Sequence, residues 1–171
     1  MPNKESTQLE MDYKTEDIDI EEKLAVLNLP LPTNLTFFPE NFDTVLDADS
    51  FIFPDSVSDL KKVFRQNNIQ IGTLGNAPVK LRARKYADWF GPTLFFSLTM
   101  LAENPTIVSI SLNVLSNYLT DFFKESLGEK KVHLEIYVET KRKKKKVTRI
   151  TYTGGIDGIQ GVEKVIKSLK S

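Results

Sequence analysis

The C-terminal third of the chain has the clearest pattern. Val132, Leu134, Ile136 and Val138 alternate with His133, Glu135, Tyr137 and Glu139. A period of two with one apolar set predicts a strand with one buried face. Thr148, Ile150 and Tyr152 alternate in the same way with Val147, Arg149 and Thr151. The two runs flank a short basic stretch, so they predict a hairpin. Gly154-Gly155 then turns the chain, and a helix is expected from near Asp157. Ile159, Val162, Val165, Ile166 and Leu169 form its apolar stripe. Gly158 and Gly161 cost about 1 kcal/mol each relative to alanine inside a helix. They imply either a close approach to the sheet or a later start.

Upstream, Phe51–Phe53 reads as a short strand stopped by Pro54. Asp55 or Ser56 can cap a following helix, on which Val57, Leu60, Val63 and Phe64 recur at helical spacing until Asn67-Asn68 ends it. "IQIGTL" then alternates like a strand. "VKLRAR" alternates Val79, Leu81 and Ala83 with Lys80, Arg82 and Arg84, which predicts a strand with one basic face. Helices are expected from about Pro92 to Ala102 and from about Pro105 to Lys124, each proline suiting a first helical turn. Residues 107–114 also alternate partly like a strand. The helical spacing of Val108, Leu112, Leu115, Leu119 and Phe122 extends further, so helix is preferred. "EEKLAVLNL" suits a short helix. Phe37, Phe38 and Phe42 lie in an irregular connector and are expected to pack on the core. Residues 1 to about 20 are polar, without apolar period, and read as a disordered acidic tail.

These elements predict one α+β domain over residues 21–171. A mostly antiparallel sheet packs against two or three helices, with a C-terminal hairpin followed by a helix. A chain of 171 residues with 40% apolar content suits one such core.

Charge adds an asymmetry to this picture. Formal net charge is zero. Yet residues 1–60 carry 14 acidic and 3 basic side chains, a net of −11, while residues 61–171 carry 9 and 20, a net of +11. The two parts either compensate each other, or the basic part meets a partner for which the acidic part competes. Two basic clusters stand out. One is Lys80, Arg82, Arg84 and Lys85. The other is Lys141, Arg142, Lys143, Lys144, Lys145 and Lys146, with Arg149 beyond. Such residues add affinity for phosphates by counterion release. Tyr86, Trp89, Tyr137 and Tyr152 offer stacking surfaces if exposed. A hairpin tip is polar in any case, and lysines also guard sheet edges.

Little else suggests chemistry. There is no cysteine, which removes disulfides, thiol nucleophiles and thiolate zinc sites, and which suits a reducing cytoplasm. The single histidine, His133, falls on the outward face of its strand. Asp43, Asp47 and Asp49 could hold a hard cation for a metal-dependent hydrolase, but they lack calcium-loop spacing. "GTLGNAP" has no following lysine and is no phosphate loop. "GGIDG" before a helix could hold an anion, against the charge of Asp157. No cofactor or resident metal is implied. Residues 89–123 are the most apolar, but their runs fall short of the ~20 residues of a span. A core helix is favoured over a membrane hairpin, and the N-terminus lacks a signal-peptide pattern.

Residues 104–170, from "ENPTIVSISLNVL" through the charged hairpin to "TYTGGIDG", resemble small accessory domains found beside effectors in bacterial conflict and antiviral defence operons. Tyr152, Gly154 and Gly158 carry the "Y-x-G" likeness. The resemblance implies a non-enzymatic adaptor that binds a larger protein partner. Nucleic-acid binding by a basic face, and membrane attachment through residues 89–123, are the alternatives.

Overall fold

The computed structural model describes residues 11–76, 78–83, 88–124 and 130–170. Among the described residues nine strands and five α-helices follow one another in an α+β order. They are β1 (Asp12–Ile18), α1 (Ile20–Val26), β2 (Thr36–Phe38), β3 (Ile52–Pro54), α2 (Ser56–Gln66), β4 (Gly72–Thr73) and β5 (Lys80–Arg82). Then come β6 (Trp89–Phe90), β7 (Thr93–Phe96), α3 (Leu98–Glu103), α4 (Ile107–Phe123), β8 (Val132–Lys141), β9 (Lys145–Gly154) and α5 (Gly161–Lys170).

The main sheet runs β1-β9-β8-β7-β2-β4, with β6 also pairing to β8. Its long pairings, β1–β9 and β8–β9, are antiparallel, while the shorter β7–β8, β6–β8 and β2–β4 pairings are parallel. β3 and β5 form a separate parallel pair. The expected hairpin is present in register, with Ile136 opposite Ile150 and Lys141 opposite Lys145. The helix after it starts at Gly161, the later of the two starts the glycines allowed. A Cβ at Gly158 would collide with the Tyr152 hydroxyl, and one at Gly161 with that of Tyr13. The glycines therefore serve close approach to the sheet.

The core lies mainly between this sheet and the helices. Phe37 of β2 meets Phe64 of α2 edge-on at 6.1 Å. α4 contacts α2, α3 and α5 and buries Leu112, Leu115 and Leu119. The second face of the sheet carries Tyr137, which packs on Phe38 at 5.3 Å and on Phe42 at 6.3 Å. Phe37, Phe38 and Phe42 are buried, as their aromatic run predicts, but Phe37 and Phe38 belong to strand β2 and not to an irregular connector.

Three readings are corrected. Residues 12–18 are a strand of the main sheet, not part of a disordered tail; residues 1–10 lie outside the described residues. The expected helix from Pro92 to Ala102 splits into β7 and α3. Thr93–Phe96 lies inside the sheet between β8 and β2 and is buried at all four positions, and a strand covered on both faces loses its alternation. Ser97 then starts α3, its hydroxyl accepting from the Met100 amide at 3.1 Å. Tyr137 and Glu139 do not face solvent, since the connector and the backbone of α3 cover that end of β8. The helix preferred for residues 107–123 is present.

Candidate functional site: the basic hairpin and an aromatic cleft

Arg142, Lys143 and Lys144 form the three-residue loop joining β8 and β9, and Lys141 and Lys145 are the last paired residues below it. All five are exposed. Among the described residues none of them makes an ion pair. Like charges this close repel, so such a tip is tolerable only in water or against an anion.

The stem differs from the tip. β1 lies along β9 with Glu16 opposite Arg149 and Asp17 opposite Thr148. Asp17 accepts from Thr148 at 3.2 Å and from Lys146 at 3.5 Å. Arg149 is the centre of a larger cluster and is largely buried. Its Nη2 donates to both oxygens of Asp43, at 2.6 and 2.7 Å. Nη1 lies 3.5 Å from Glu16 and Nε 3.5 Å from Glu135. The guanidinium also sits over the Tyr137 ring, 5.5 Å from its centroid. Burial opposes the charge on Arg149, but Tyr137, Glu135 and Asp43 more than offset it and raise its pKa. Burial, and then the charge of Glu135, raise that of the Tyr137 hydroxyl. Of the basic residues singled out in the hairpin, Lys146 and Arg149 are thus engaged inside the fold.

The other basic cluster is not continuous with this one. Arg82 pairs with Glu40 at 3.1 Å, and Lys80 donates to the Asp49 carbonyl at 2.7 Å. Arg84 and Lys85 lie outside the described residues, as does Tyr86. Arg82 lines a cleft with Trp89 and Phe90, whose strand pairs with Val132 and His133 at the far end of β8. Eight residues at ~3.3 Å each put that end about 26 Å from Lys141. Among the described residues, Arg82 and the hairpin tip therefore do not join into a single basic face. Tyr137 and Tyr152 are buried, and the little of Trp89 that is exposed lines this cleft and not the hairpin.

Beside the tip runs a groove of about 460 Å³. Asp17, Asp19, Glu21 and Glu139 line it together with Lys144 and Lys145. Both signs of charge therefore meet at the hairpin's root. The carboxylates Asp43, Asp47 and Asp49 do not converge. Asp43 serves Arg149, and Asp47 accepts from the Ser50 hydroxyl at 3.1 Å. Among the described residues no cluster of acidic or histidine side chains could hold a metal.

His133 is not the solvent-facing residue its position in the alternation predicts. It is half-buried, stacks on Phe90 at 4.3 Å, and brings Nε2 to 2.9 Å from Asp88. The nearby cleft measures about 260 Å³. Asp55 before α2, Asp59 within it, Trp89 of β6, and Tyr118 and Phe122 of α4 contribute to its wall. Tyr118 lies 6.4 Å from Trp89 and stacks on Phe122 at 5.9 Å. Burial raises the pKa of Tyr118, and the charges of Asp59 and then Asp55 raise it further. No motif marked this cleft, because its residues come from elements spread along the chain.

The apolar segment 89–123 is folded into β6, β7, α3 and α4. Among the described residues no helix is long and apolar enough to cross a membrane. Comparison with family models, with curated proteins and with solved structures returns no match.

Proposed function

We propose that this chain is a non-enzymatic accessory protein of the cytoplasm that binds an acidic surface of a larger protein partner through the tip of the β8–β9 hairpin. One observation carries the reading: Lys141 to Lys145 are exposed and without ion pairs among the described residues, while Lys146 and Arg149 just below them are neutralised by Asp17, Glu16 and Asp43. The fold compensates its basic stem and leaves the tip. Carboxylates bordering the groove beside the tip favour a protein surface of mixed charge over a polyanionic backbone, which they would repel. Buried aromatic rings argue the same way, since stacking supplies much of the affinity for single strands. The resemblance to defence-operon accessory domains suggests an effector as the partner.

Co-expression of the tagged chain with the products of its neighbouring genes tests this reading. A neighbour is expected to co-purify after nuclease treatment and to be lost when Lys143, Lys144 and Lys145 become alanine. Absence of any co-purifying neighbour overturns it. A complex that disappears with nuclease, together with binding of bare nucleic acid that falls steeply with salt, would replace it by nucleic-acid recognition.

A further inference from the structure

The cleft between α2, β6 and α4 lies at the opposite end of β8 from the hairpin tip and has no part in the proposed contact. Its charges are unevenly used. Arg82 is committed to Glu40, and Asp88 to His133. Asp55 and Asp59 are exposed and make no ion pair among the described residues. Asp55 precedes α2, but its side chain makes no capping hydrogen bond. Lys130, half-buried, is the remaining charge among the described residues of the wall. Among those residues, with Arg82 held by Glu40, the carboxylates Asp55, Asp59 and Asp88 outnumber the one ammonium.

A second observation is independent of charge. Ser56 lines the same cleft and is only 9% exposed, yet its hydroxyl has no hydrogen-bond partner. A buried hydroxyl without a partner costs about 1–3 kcal/mol, so such groups are rare unless something binds them. Aromatic rings complete the wall. Trp89, Tyr118 and Phe122 form a continuous run beside the two free carboxylates. Carboxylates beside aromatic rings attract organic cations, by charge and by the rings' quadrupoles.

We propose that this cleft binds a small organic cation, a primary ammonium or guanidinium on a short carbon body. Asp55 and Asp59 supply the counter-charge, Ser56 accepts a hydrogen bond, and the aromatic run receives the carbon body. At about 260 Å³ the cleft falls just below the ~300–1,000 Å³ of drug-sized sites, which sets the ligand's size.

Trp89 is the only tryptophan of the chain, so its fluorescence reports on this cleft alone. Titration with 1,5-diaminopentane and with agmatine is expected to give a saturable change, and titration with glutarate none. Asp55→Asn with Asp59→Asn should weaken amine binding at least ten-fold, and Ser56→Ala several-fold, with melting temperatures close to the parent's. Lys130→Gln, which removes the competing cation, should tighten it several-fold. The proposal is overturned if neither amine gives a saturable change, or if glutarate matches them. It also fails if the double variant binds as the parent does, or if Lys130→Gln weakens binding.

Discussion

Arg149 shows how one residue can be read correctly for charge and wrongly for role. Its sequence neighbours make it part of a basic run. Its partners, Asp43, Glu16 and Glu135, come from three other segments. Arg149→Met should therefore destabilise the fold, by about 1–3 kcal/mol in urea unfolding, because it strands carboxylates that the guanidinium now satisfies. Lysine should rescue only part, since a single ammonium cannot reach all three. Gly158 makes a similar case in packing. Gly158→Ala places a methyl against the Tyr152 hydroxyl, which has no room to retreat, and should cost about 1–3 kcal/mol.

Tyr152 also predicts a pH dependence. Burial, and then Tyr13, push its hydroxyl up to about 12. Burial moves Tyr13 in the same direction. An unfolded tyrosine ionises near ~10. Below that value both states are protonated and the stabilisation is fully present. Between about pH 10 and 12 the unfolded chain loses protons that the folded chain keeps, so stability falls as pH rises. Urea midpoints across that window should decline, and Tyr152→Phe should flatten part of the slope. A rising midpoint would contradict the assignment.

Among the elements, those with long periods were legible. α2, α4, β8 and β9 each carry enough residues for spacing to declare itself, and Asn68, at φ 61°, closes α2 where the sequence places its end. Short or edge elements were not. β4 has two residues and β2 three, too few to show a period. β1 buries no side chain fully and half-buries only Tyr13 and Ile18, so "DYKTEDI" looks like a solvated acidic stretch. What makes it a strand is non-local: β9 offers free backbone groups and a basic face. Ser97, a capping residue between two apolar runs, was the missed signal that β7 ends and α3 begins. The aromatic cleft could not be found by motif, because α2, β5, β6 and α4 each supply only a few of its residues. Removing residues up to Asp19 should lower the melting temperature by several degrees and promote association, since it bares β9 as a new sheet edge. Differential scanning calorimetry and sedimentation velocity would register both effects.

For the whole molecule, the charge asymmetry is compensated in part within the fold. Part of the acidic N-terminal half lies against the basic hairpin as β1, and Asp43 of the connector adds to it. Within the hairpin, the basic residues left without an ion pair among the described residues are those of the tip, which is why the functional reading narrows to five residues. Lys143, Lys144 and Lys145 replaced by alanine should leave the melting temperature unchanged or slightly higher, because their mutual repulsion is removed. A large fall would mean that the tip serves folding.

The account depends most on β1 being seated on β9. Residue-resolved hydrogen exchange of the full chain measures this directly. The amides of residues 12–18 that point at β9 should exchange slowly, alternating with faster outward ones, and should be protected together with residues 147–153. Uniform exchange at the rate of an unstructured chain would contradict the account. β9 would then be an open sheet edge with Lys146 released from Asp17, and the case for a protein-binding tip would give way to nucleic-acid recognition.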